Sequence, residues 1–408
     1  MSFLRARRPM VVAALLGLSL AAAGCDLGGS GHTAGGLQPR QGGGSTHGTS
    51  EQAVEPAAVV KTNVPSGATD VAVDHRVQVS AQNGHLTSVA VSSRSGSVAG
   101  KMSADGQSWI AGGLLEPSTS YTVVSSAESA AGKTVTRTTH FRTAPLTLDQ
   151  QTYPSIAPLS GQTVGVGMPV IVKFDVPVTD RAAIEKNLHV VSQPAQRGSW
   201  HWLSGNEVHW RPVHYWQPGT TVTVNADING VPAGNGIYGQ LDRSTTFNIG
   251  ASHVYKVNIQ TDQLRVFDNG HLTRTIPVTT GMPWFTTRSG TKLIIEKDRF
   301  HTMNSETIGI DPHSALGYNI KNVEYAMRLT YSGEFLHAAP WSVASQGHEN
   351  VSHGCTGMST SNAGWLYDHS QIGDVVEYTG SSKQMTLDNG YGDWNEPFST
   401  YAQGSALH

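Results

Sequence analysis

The stretch from residue 337 to residue 357, HAAPWSVASQGHENVSHGCTG, holds the side chains whose types and spacing could do chemistry. It contains His337, His348, His353 and Cys355, whereas the chain has only one other cysteine, Cys25. A cysteine attacks a carbonyl as the thiolate, a form that a nearby imidazole or a helix N-terminus favours. A cysteine beside imidazoles therefore predicts a nucleophile for acyl transfer.

The local sequence predicts rigid positions for both groups. His337 ends the apolar segment GEFLH, which is typical of a strand, and Cys355 follows a Ser-His-Gly turn. The next segment, STSNAGWLYDHS, has the caps and apolar spacing of a short helix. Gly354 lets the backbone approach a substrate closely, so we expect the amides of Gly354 and Cys355 to face a developing oxyanion.

Three other interpretations of these residues remain open. Cys355 could bind zinc together with His337, His348 and His353, although structural zinc sites usually contain CxxC-type pairs. Cys355 could be a buried, inert thiol, although SHGCTG is small and polar for a core segment. The histidines could also be ordinary surface residues, since the chain has 18 of them.

The composition indicates a β-rich chain of several domains. With 408 residues, the chain is longer than a domain with a single hydrophobic core usually is. Charged residues make up 14%, glycine occurs 45 times, and a typical globular chain has about 25% charged residues. The net charge of −3, without a long basic run, predicts that nucleic acid is not a partner.

Residues 1–25 predict an export signal. Arg5, Arg7 and Arg8 precede the apolar run VVAALLGLSLAAAG, which is short for a membrane span. The end of this run, AAAGC, resembles a bacterial lipoprotein cleavage box, in which Cys25 becomes the lipidated first residue. Lipidation would anchor the protein to the outer face of the cell membrane; the alternative is an ordinary secretory signal with an incidental cysteine.

The region that follows predicts a tether and two β domains. Residues 26–57 are rich in Gly, Ser and Thr and predict a flexible linker. LEPSTSYTV at 115–123 matches WQPGTTVTV at 216–224, which indicates an internal repeat of alternating strands. The repeat predicts two tandem immunoglobulin-like (Ig-like) sandwiches, at 58–145 and 146–250.

The last region predicts a third, mainly β domain. It covers residues 251–379, and DNG at 268–270 is a strong hairpin signal. We expect the extension at 380–408 to pack back on this domain through Trp394 and Phe398. The predicted fold class is therefore mainly β, with two Ig-like sandwiches followed by a β-rich domain that has a short helix after Cys355.

The motif H-x14-S-H-G-C resembles the signature of the L,D-transpeptidase catalytic domain, whose members cross-link bacterial cell-wall stem peptides. It runs from His337 through Ser352 to Cys355. The resemblance extends over YSGEFLHAAPWSVASQGHENVSHGC and SNAGWLYDHSQIGDVVEY. With the export signal and the two Ig-like domains, the chain resembles the membrane-tethered multidomain enzymes of actinobacteria.

The resemblance implies a role for each matching position. Cys355 would be the nucleophile and His337 the general base and acid, oriented by the backbone carbonyl of Ala338. His353 and Gly354 would frame the oxyanion together with Cys355. A flap at about 300–320 would cover the pocket, and the positions that would contact substrate are Tyr318, Ser332, Gly333, Trp341, Ser352 and Gly357.

One position departs from the family pattern. The family usually places Asn two residues after the cysteine, where this chain has Gly357. We expect a looser subsite for the donor peptide, or a contact that moves to another group, with the nucleophile and base unaffected.

The implied reaction is ping-pong acyl transfer. Cys355 would form a thioester with a tetrapeptide stem and pass it to the side-chain amine of a second stem, which gives a 3→3 cross-link. No metal or organic cofactor is expected, and carbapenems should acylate Cys355.

Other functions compete with this one. An L,D-carboxypeptidase would resolve the same thioester with water, and a non-catalytic wall-binding lipoprotein would need no nucleophile. Papain-like peptidases place the cysteine before the histidine, whereas here His337 precedes Cys355, which argues against that class. The S-x-x-K match SGTK at 289–292 lacks a later KTG or SDN element, which argues against a penicillin-binding serine enzyme.

Overall fold

The computed structural model describes residues 55–407. The predicted signal, Cys25 and nearly all of the predicted linker lie outside the described residues. Each helix within 55–407 is too short or too polar to serve as a membrane-spanning segment.

The first β unit consists of two sheets, ordered β1-β3-β7-β6 and β2-β9-β8-β4-β5. Along β8 and β9 buried and exposed side chains alternate, as a half-buried sheet requires. The strands are β1 (Val59–Thr62), β2 (Ala68–Val71), β3 (Gln78–Gln82), β4 (Gly84–Ser93), β5 (Gly96–Val98), β6 (Gly100–Met102), β7 (Ser108–Ala111), β8 (Ser120–Ser129) and β9 (Thr134–Thr143).

The second β unit has sheets ordered β11-β13-β16-β15, β12-β20-β17-β14 and β10-β19-β18. Its strands are β10 (Gln151–Thr152), β11 (Pro154–Ala157), β12 (Thr163–Val164), β13 (Val170–Phe174), β14 (Leu188–Gln193), β15 (Gly198–Trp202), β16 (Glu207–Pro212), β17 (Thr221–Ala226), β18 (Pro232–Gly234), β19 (Ile237–Gly239) and β20 (Arg243–Ile249). A short helix, α1 (Arg181–Glu185), follows β13. The sequence repeat marks equivalent strands, because β8 pairs with β9 as β17 pairs with β20.

The third unit packs two sheets face to face, ordered β23-β22-β21-β29-β24 and β25-β26-β27-β28. Its elements are β21 (His253–Asn258), β22 (Gln263–Asp268), β23 (His271–Pro277), β24 (Gly290–Leu293), β25 (Glu296–Asn304), β26 (Asn319–Arg328), β27 (Phe335–Ala338), β28 (Thr356–Met358), α2 (Thr360–His369), β29 (Val375–Thr379) and α3 (Phe398–Tyr401). One core joins both sheets, for example Tyr255, Val376, Met327 and Leu336, and α2 adds Leu366 to it.

Two local predictions in this unit hold. Asn269 and Gly270 join β22 to β23 with φ of 49° and 82°, the left-handed pair of a tight hairpin turn. The helix predicted after Cys355 is α2, and the Ser359 hydroxyl caps it by accepting from the Asn362 amide.

The second and third units share a hydrophobic core. Leu293 and Val375 of the third unit belong to the same buried cluster as Met168 and Val170. The amide of Gly167 also donates to the carbonyl of Gly373 at 3.0 Å. The third unit is therefore held on the second β unit through apolar contact and backbone hydrogen bonds.

The C-terminal extension does not pack on the third unit alone. Some of its contacts are with the third unit, since the Ser289 amide donates to the Lys383 carbonyl and the Thr291 amide donates to Asn395 Oδ1. Others are with the second β unit, where the Trp394 indole donates to the Gly167 carbonyl at 2.7 Å.

A buried polar cluster explains this second attachment. Arg211 of β16 lies under the rings of Trp394, Phe398 and Tyr401, with its guanidinium carbon 4.4 to 5.3 Å from their centres. Asp393, fully buried, accepts from His209 Nδ1 at 2.9 Å. The prediction that the extension packs on the third unit is therefore only partly right. Part of the extension covers Arg211 and His209 of β16, and its Asp393 carboxylate pairs with His209.

Candidate active site

Two neighbouring parallel strands hold the histidine and the cysteine beside one cavity. The register of β27 on β28 places His337 opposite Gly357 and Leu336 opposite Thr356. Cys355 directly precedes β28 and therefore emerges close to His337. Both side chains line a cavity of about 200 Å³.

The His337 imidazole is buried and has a defined tautomer. Its Nδ1 donates to the Ala338 carbonyl at 2.7 Å. A carbonyl only accepts, so the proton lies on Nδ1 and Nε2 keeps its lone pair. Burial lowers the pKa of His337 to about 4, although the Ala338 carbonyl opposes this shift. The neutral ring can therefore accept a proton at Nε2.

The Cys355 thiol is also buried, with 9% of the residue exposed. Its Sγ donates to the Gly333 carbonyl at 3.5 Å. Burial raises the pKa of Cys355 to about 12; the Phe335 backbone and the Lys292 ammonium lower it only in part, and the Glu334 carboxylate raises it further. The resting site therefore holds a neutral thiol and a neutral imidazole. From the sequence we expected the imidazole to favour the thiolate form of Cys355. In the structure, burial of the thiol favours its neutral form more strongly.

The turn before the cysteine is rigid. Ser352 Oγ donates to the Cys355 carbonyl at 2.6 Å and accepts from the Gly354 amide at 3.1 Å. Thr287 Oγ1 donates to the Gly354 carbonyl at 2.8 Å, and Gly354 has φ of 120°, which favours glycine.

This turn changes the expected oxyanion donors. The Gly354 amide already has Ser352 as its acceptor. The Cys355 amide has no acceptor among residues 55–407. It is therefore the backbone donor that a developing oxyanion could use.

Aromatic rings and apolar side chains form the cavity wall. The rings of Tyr318 and Phe285 lie 4.9 and 4.6 Å from the ring of His353, and Trp341 lies 5.9 Å from the ring of His337. The lining residues are Thr279, Met303, Tyr318, Ile320, His337, Ala339, Trp341, Ser342, Val351, Ser352, His353, Cys355 and Gly357.

Some of the residues singled out from the sequence lie away from the cavity wall. The Ser332 amide donates to Asn389 Oδ1, and its hydroxyl accepts from Asn389 Nδ2, both at 2.9 Å. Ser332 is therefore held by the C-terminal extension and does not line the cavity. Gly333 contacts the thiol through its carbonyl. His348 is exposed and also lies outside the lining.

The position of Gly357 is filled. A Cβ built on Gly357 would lie 2.8 Å from Ala339 Cβ and 3.2 Å from Thr279 Cγ2. Gly357 and Thr279 also exchange two backbone hydrogen bonds of 2.9 Å, which fix the backbone. The Ala339 methyl group therefore occupies the space that a side chain at position 357 would enter, and the looser donor subsite stays a prediction.

A buried ion pair beneath the cysteine was missed in the sequence. Lys292 Nζ lies 2.7 Å from Glu334 Oε2, with 0% and 5% of the two side chains exposed. Arg288 binds the other carboxylate oxygen at 3.0 Å. Glu334 directly follows Gly333, whose carbonyl accepts from the thiol. A lysine inside the strand segment TKLIIEK was the available signal.

Comparisons with known proteins agree with this architecture. Residues 68–232 match the family described as bacterial Ig domain, and residues 252–377 match the family described as L,D-transpeptidase catalytic domain. L,D-transpeptidase 2 of Mycobacterium tuberculosis is 36% identical over 346 residues, 84% of this chain and 84% of that protein. L,D-transpeptidase 5 of the same species is 34% identical over 367 residues, 88% of this chain and 79% of that protein.

Among solved structures, the L,D-transpeptidase LdtMt1 in complex with imipenem is 37% identical and covers 55% of this chain and 97% of its own, with a TM-score of 0.49. An Ig region followed by this catalytic domain defines a multidomain transpeptidase. The chain belongs to the L,D-transpeptidase family. The Ig match runs as one segment across both β units, so a second, separate Ig-like domain stays a prediction.

Proposed function

We propose that this protein forms 3→3 cross-links between peptidoglycan stem peptides through a thioester on Cys355. The observation that carries the proposal is the shared cavity, in which a buried thiol lies near an imidazole whose Nε2 can accept a proton. Membership of the L,D-transpeptidase family supports the reaction class.

In the first half-reaction the thiol sulfur attacks the carbonyl between the third and fourth residues of a donor tetrapeptide. The thiol proton moves to Nε2 of His337 as the carbon–sulfur bond forms, so neither group needs to be charged beforehand. The Cys355 amide stabilises the oxyanion. The His337 imidazolium then protonates the departing amine of D-alanine, and the thioester remains.

In the second half-reaction the side-chain amine at the third residue of another stem attacks the thioester. His337 takes the proton from this amine and returns it to the sulfur as the thiol leaves. The new amide is the 3→3 cross-link. Both half-reactions use only Cys355, His337 and the two stem peptides.

If water attacked the thioester in place of the acceptor amine, the protein would be an L,D-carboxypeptidase. The apolar and aromatic wall of the cavity, including Met303, Tyr318 and Ile320, supports the transpeptidase, because it limits the access of water to the thioester. A carbapenem is an acyl donor that the same thiol can open, and we propose that this class inhibits the protein.

We further propose that Cys25 carries lipid and that the protein acts at the outer face of the cell membrane, toward the cell wall. The support is the apolar run that ends in AAAGC. Mass spectrometry of the membrane fraction checks this: a diacylglyceryl N-terminal peptide beginning at Cys25 is expected, and a peptide with a free thiol there would contradict it.

The reaction is tested with a disaccharide-free donor tetrapeptide and an isotopically labelled acceptor stem. Wild type should give a cross-linked dimer and free D-alanine, whereas Cys355→Ala should give neither. His337→Gln should lose at least 100-fold in rate, the usual loss for a general base. Tripeptide alone, even at saturating acceptor, would show that the protein is a carboxypeptidase and would overturn the proposal.

A further inference from the structure

A second cluster of chemically active side chains lies outside the cavity. His253 begins β21, Asp268 ends β22, and His369 is the last residue of α2. Each offers one ligand atom, and these three atoms lie within 4.8 Å of one another. None of the three lines the cavity of Cys355, so they have no part in the reaction proposed above.

The His253 ring is held in one tautomer by a buried carboxylate. Asp374, 0% exposed, accepts at Oδ2 from His253 Nδ1 at 3.1 Å, from the Tyr255 hydroxyl at 3.1 Å and from the Gln371 amide at 2.8 Å. An oxygen that receives three hydrogen bonds is an acceptor in each of them, so His253 carries a proton on Nδ1. This fixes which nitrogen of the ring remains for another partner.

That nitrogen, Nε2, points into the cluster without a hydrogen bond. Its nearest carboxylate oxygen is Asp268 Oδ1 at 4.0 Å, which is beyond hydrogen-bond range. The His253 side chain is only 10% exposed, so solvent reaches it poorly. A proton on this nitrogen or a metal ion would supply the positive charge that the Asp268 carboxylate attracts.

The third ligand is aligned in the same way. His369 Nε2 donates to the same Asp268 oxygen at 2.8 Å. The His369 ring is stacked between Trp365 at 4.7 Å and His253 at 4.4 Å, so both imidazoles present their edges to one carboxylate.

We propose that His253 Nε2, His369 Nε2 and Asp268 bind a first-row divalent cation of the zinc type. Two imidazoles and one carboxylate are a ligand set that Zn²⁺ accepts, with a fourth position left for water. Asp374 behind His253 is the carboxylate that commonly orients a metal-binding histidine. Binding releases the proton that His369 shares with Asp268, and the ligand atoms draw together by small side-chain movements.

The site would tie the end of α2 to the hairpin of β21 and β22. The same helix begins five residues after Cys355, so the metal would stabilise the support of the active site without entering it. The inference does not rest on the proposed function, because no part of it requires a reactive Cys355.

The test uses the chain with Cys25→Ala and Cys355→Ala, which removes both thiols as zinc ligands. Titration with ZnCl₂ against a competing chelator should show one tight site, and ZnCl₂ should raise the melting temperature. In the same background His253→Gln and Asp268→Asn should each weaken the site at least tenfold and abolish the thermal shift. MgCl₂ should have no effect, since Mg²⁺ prefers all-oxygen sites.

The matched control is His189→Gln. His189 Nε2 lies 4.0 Å from Asp227 Oδ2, the same spacing as His253 and Asp268, but both side chains are more than half exposed. This variant should bind zinc as the parent does.

The visible absorption of bound Co²⁺ reports directly on the metal ligands, and it would not change if His253 only stabilised the fold. The visible absorption of bound Co²⁺ should appear in the parent chain and in His189→Gln, and disappear in His253→Gln. Unaltered zinc affinity in a folded His253→Gln or Asp268→Asn chain would overturn the proposal, as would a parent chain that does not bind zinc; a protonated His253 then satisfies the cluster.

Discussion

The buried ion pair of Lys292 and Glu334 offers a demanding test of how the cysteine is positioned. Lys292→Met removes the cation that lies 2.7 Å from Glu334 Oε2 and leaves Arg288 on the other oxygen. Loss of one partner of a buried pair costs about 3–5 kcal/mol. Because Arg288 still compensates half of the carboxylate, we expect a loss of about 3 kcal/mol in the free energy of unfolding.

The same change should slow acylation of Cys355. The Lys292 ammonium partly offsets the effect of burial on the thiol pKa, and Glu334 follows the Gly333 carbonyl that aims the thiol. A loss of roughly tenfold in the acylation rate by imipenem corresponds to about 1.4 kcal/mol, close to one hydrogen bond to a charged group. Stopped-flow fluorescence under single-turnover conditions measures this rate, and urea denaturation measures stability.

Lys297→Met is the matched control. Lys292 Nζ lies 3.7 Å from the ring centre of Tyr378, and Lys297 Nζ lies 4.4 Å from that of Tyr367. Lys297 is half-buried, whereas Lys292 is fully buried. This variant should lose stability and keep its acylation rate. The double variant of Lys292→Met with Glu334→Gln should lose at least about 1 kcal/mol less than the sum of the single variants, because the two side chains are in contact. Additive losses, or an unchanged acylation rate in Lys292→Met, would refute this account of the pair.

Other parts of the structure give three predictions. Gly357→Ala should lower the free energy of unfolding by about 1–3 kcal/mol, since its Cβ would lie 2.8 Å from Ala339 Cβ, and Ala339→Gly should restore most of it in urea denaturation; no rescue would contradict the contact. The rate of acylation by imipenem should fall as the pH drops through about 4, where His337 gains a proton, and stay flat from about pH 6 to about pH 9. A rise in that rate between about pH 6 and about pH 9 would show a thiolate that forms in the free protein. Burial lowers the pKa of His209, but Asp393 and Glu207 outweigh it and raise this pKa from 6.5 to about 9. The stabilisation that His209 contributes is therefore complete below pH 6.5 and is lost as the pH rises through 9. Calorimetry should show a loss on the order of 3 kcal/mol over this range, and His209→Gln should flatten the profile.

Local signals in the sequence predicted the local structure well. The DNG turn, the strand that ends in His337 and the capped helix after Cys355 each depend on a few adjacent residues, so their patterns are sufficient. The repeat at 115–123 and 216–224 likewise marks equivalent strands, since it records the same strand pairing twice.

Long-range burial was not predictable in the same way. The sequence does not show that Arg211 and His209 contact residues about 180 positions later. The whole extension was therefore predicted to lie on the third unit, although part of it lies on the second β unit. Nor does it show that the Ala339 methyl group fills the space beside Gly357. The protonation state of Cys355 follows from how completely the fold excludes water, which is a property of the packed structure.

The central claim is that the Cys355 sulfur takes up the acyl group with His337 as its proton acceptor. Intact-mass spectrometry after incubation with imipenem tests it most directly. Wild type should gain the mass of one imipenem, mapped to the peptide that contains Cys355, and His337→Gln should gain it at least 100-fold more slowly. Cys355→Ala should remain unlabelled. Labelling of the Cys355→Ala chain, or a wild-type adduct on any other residue, would contradict the account.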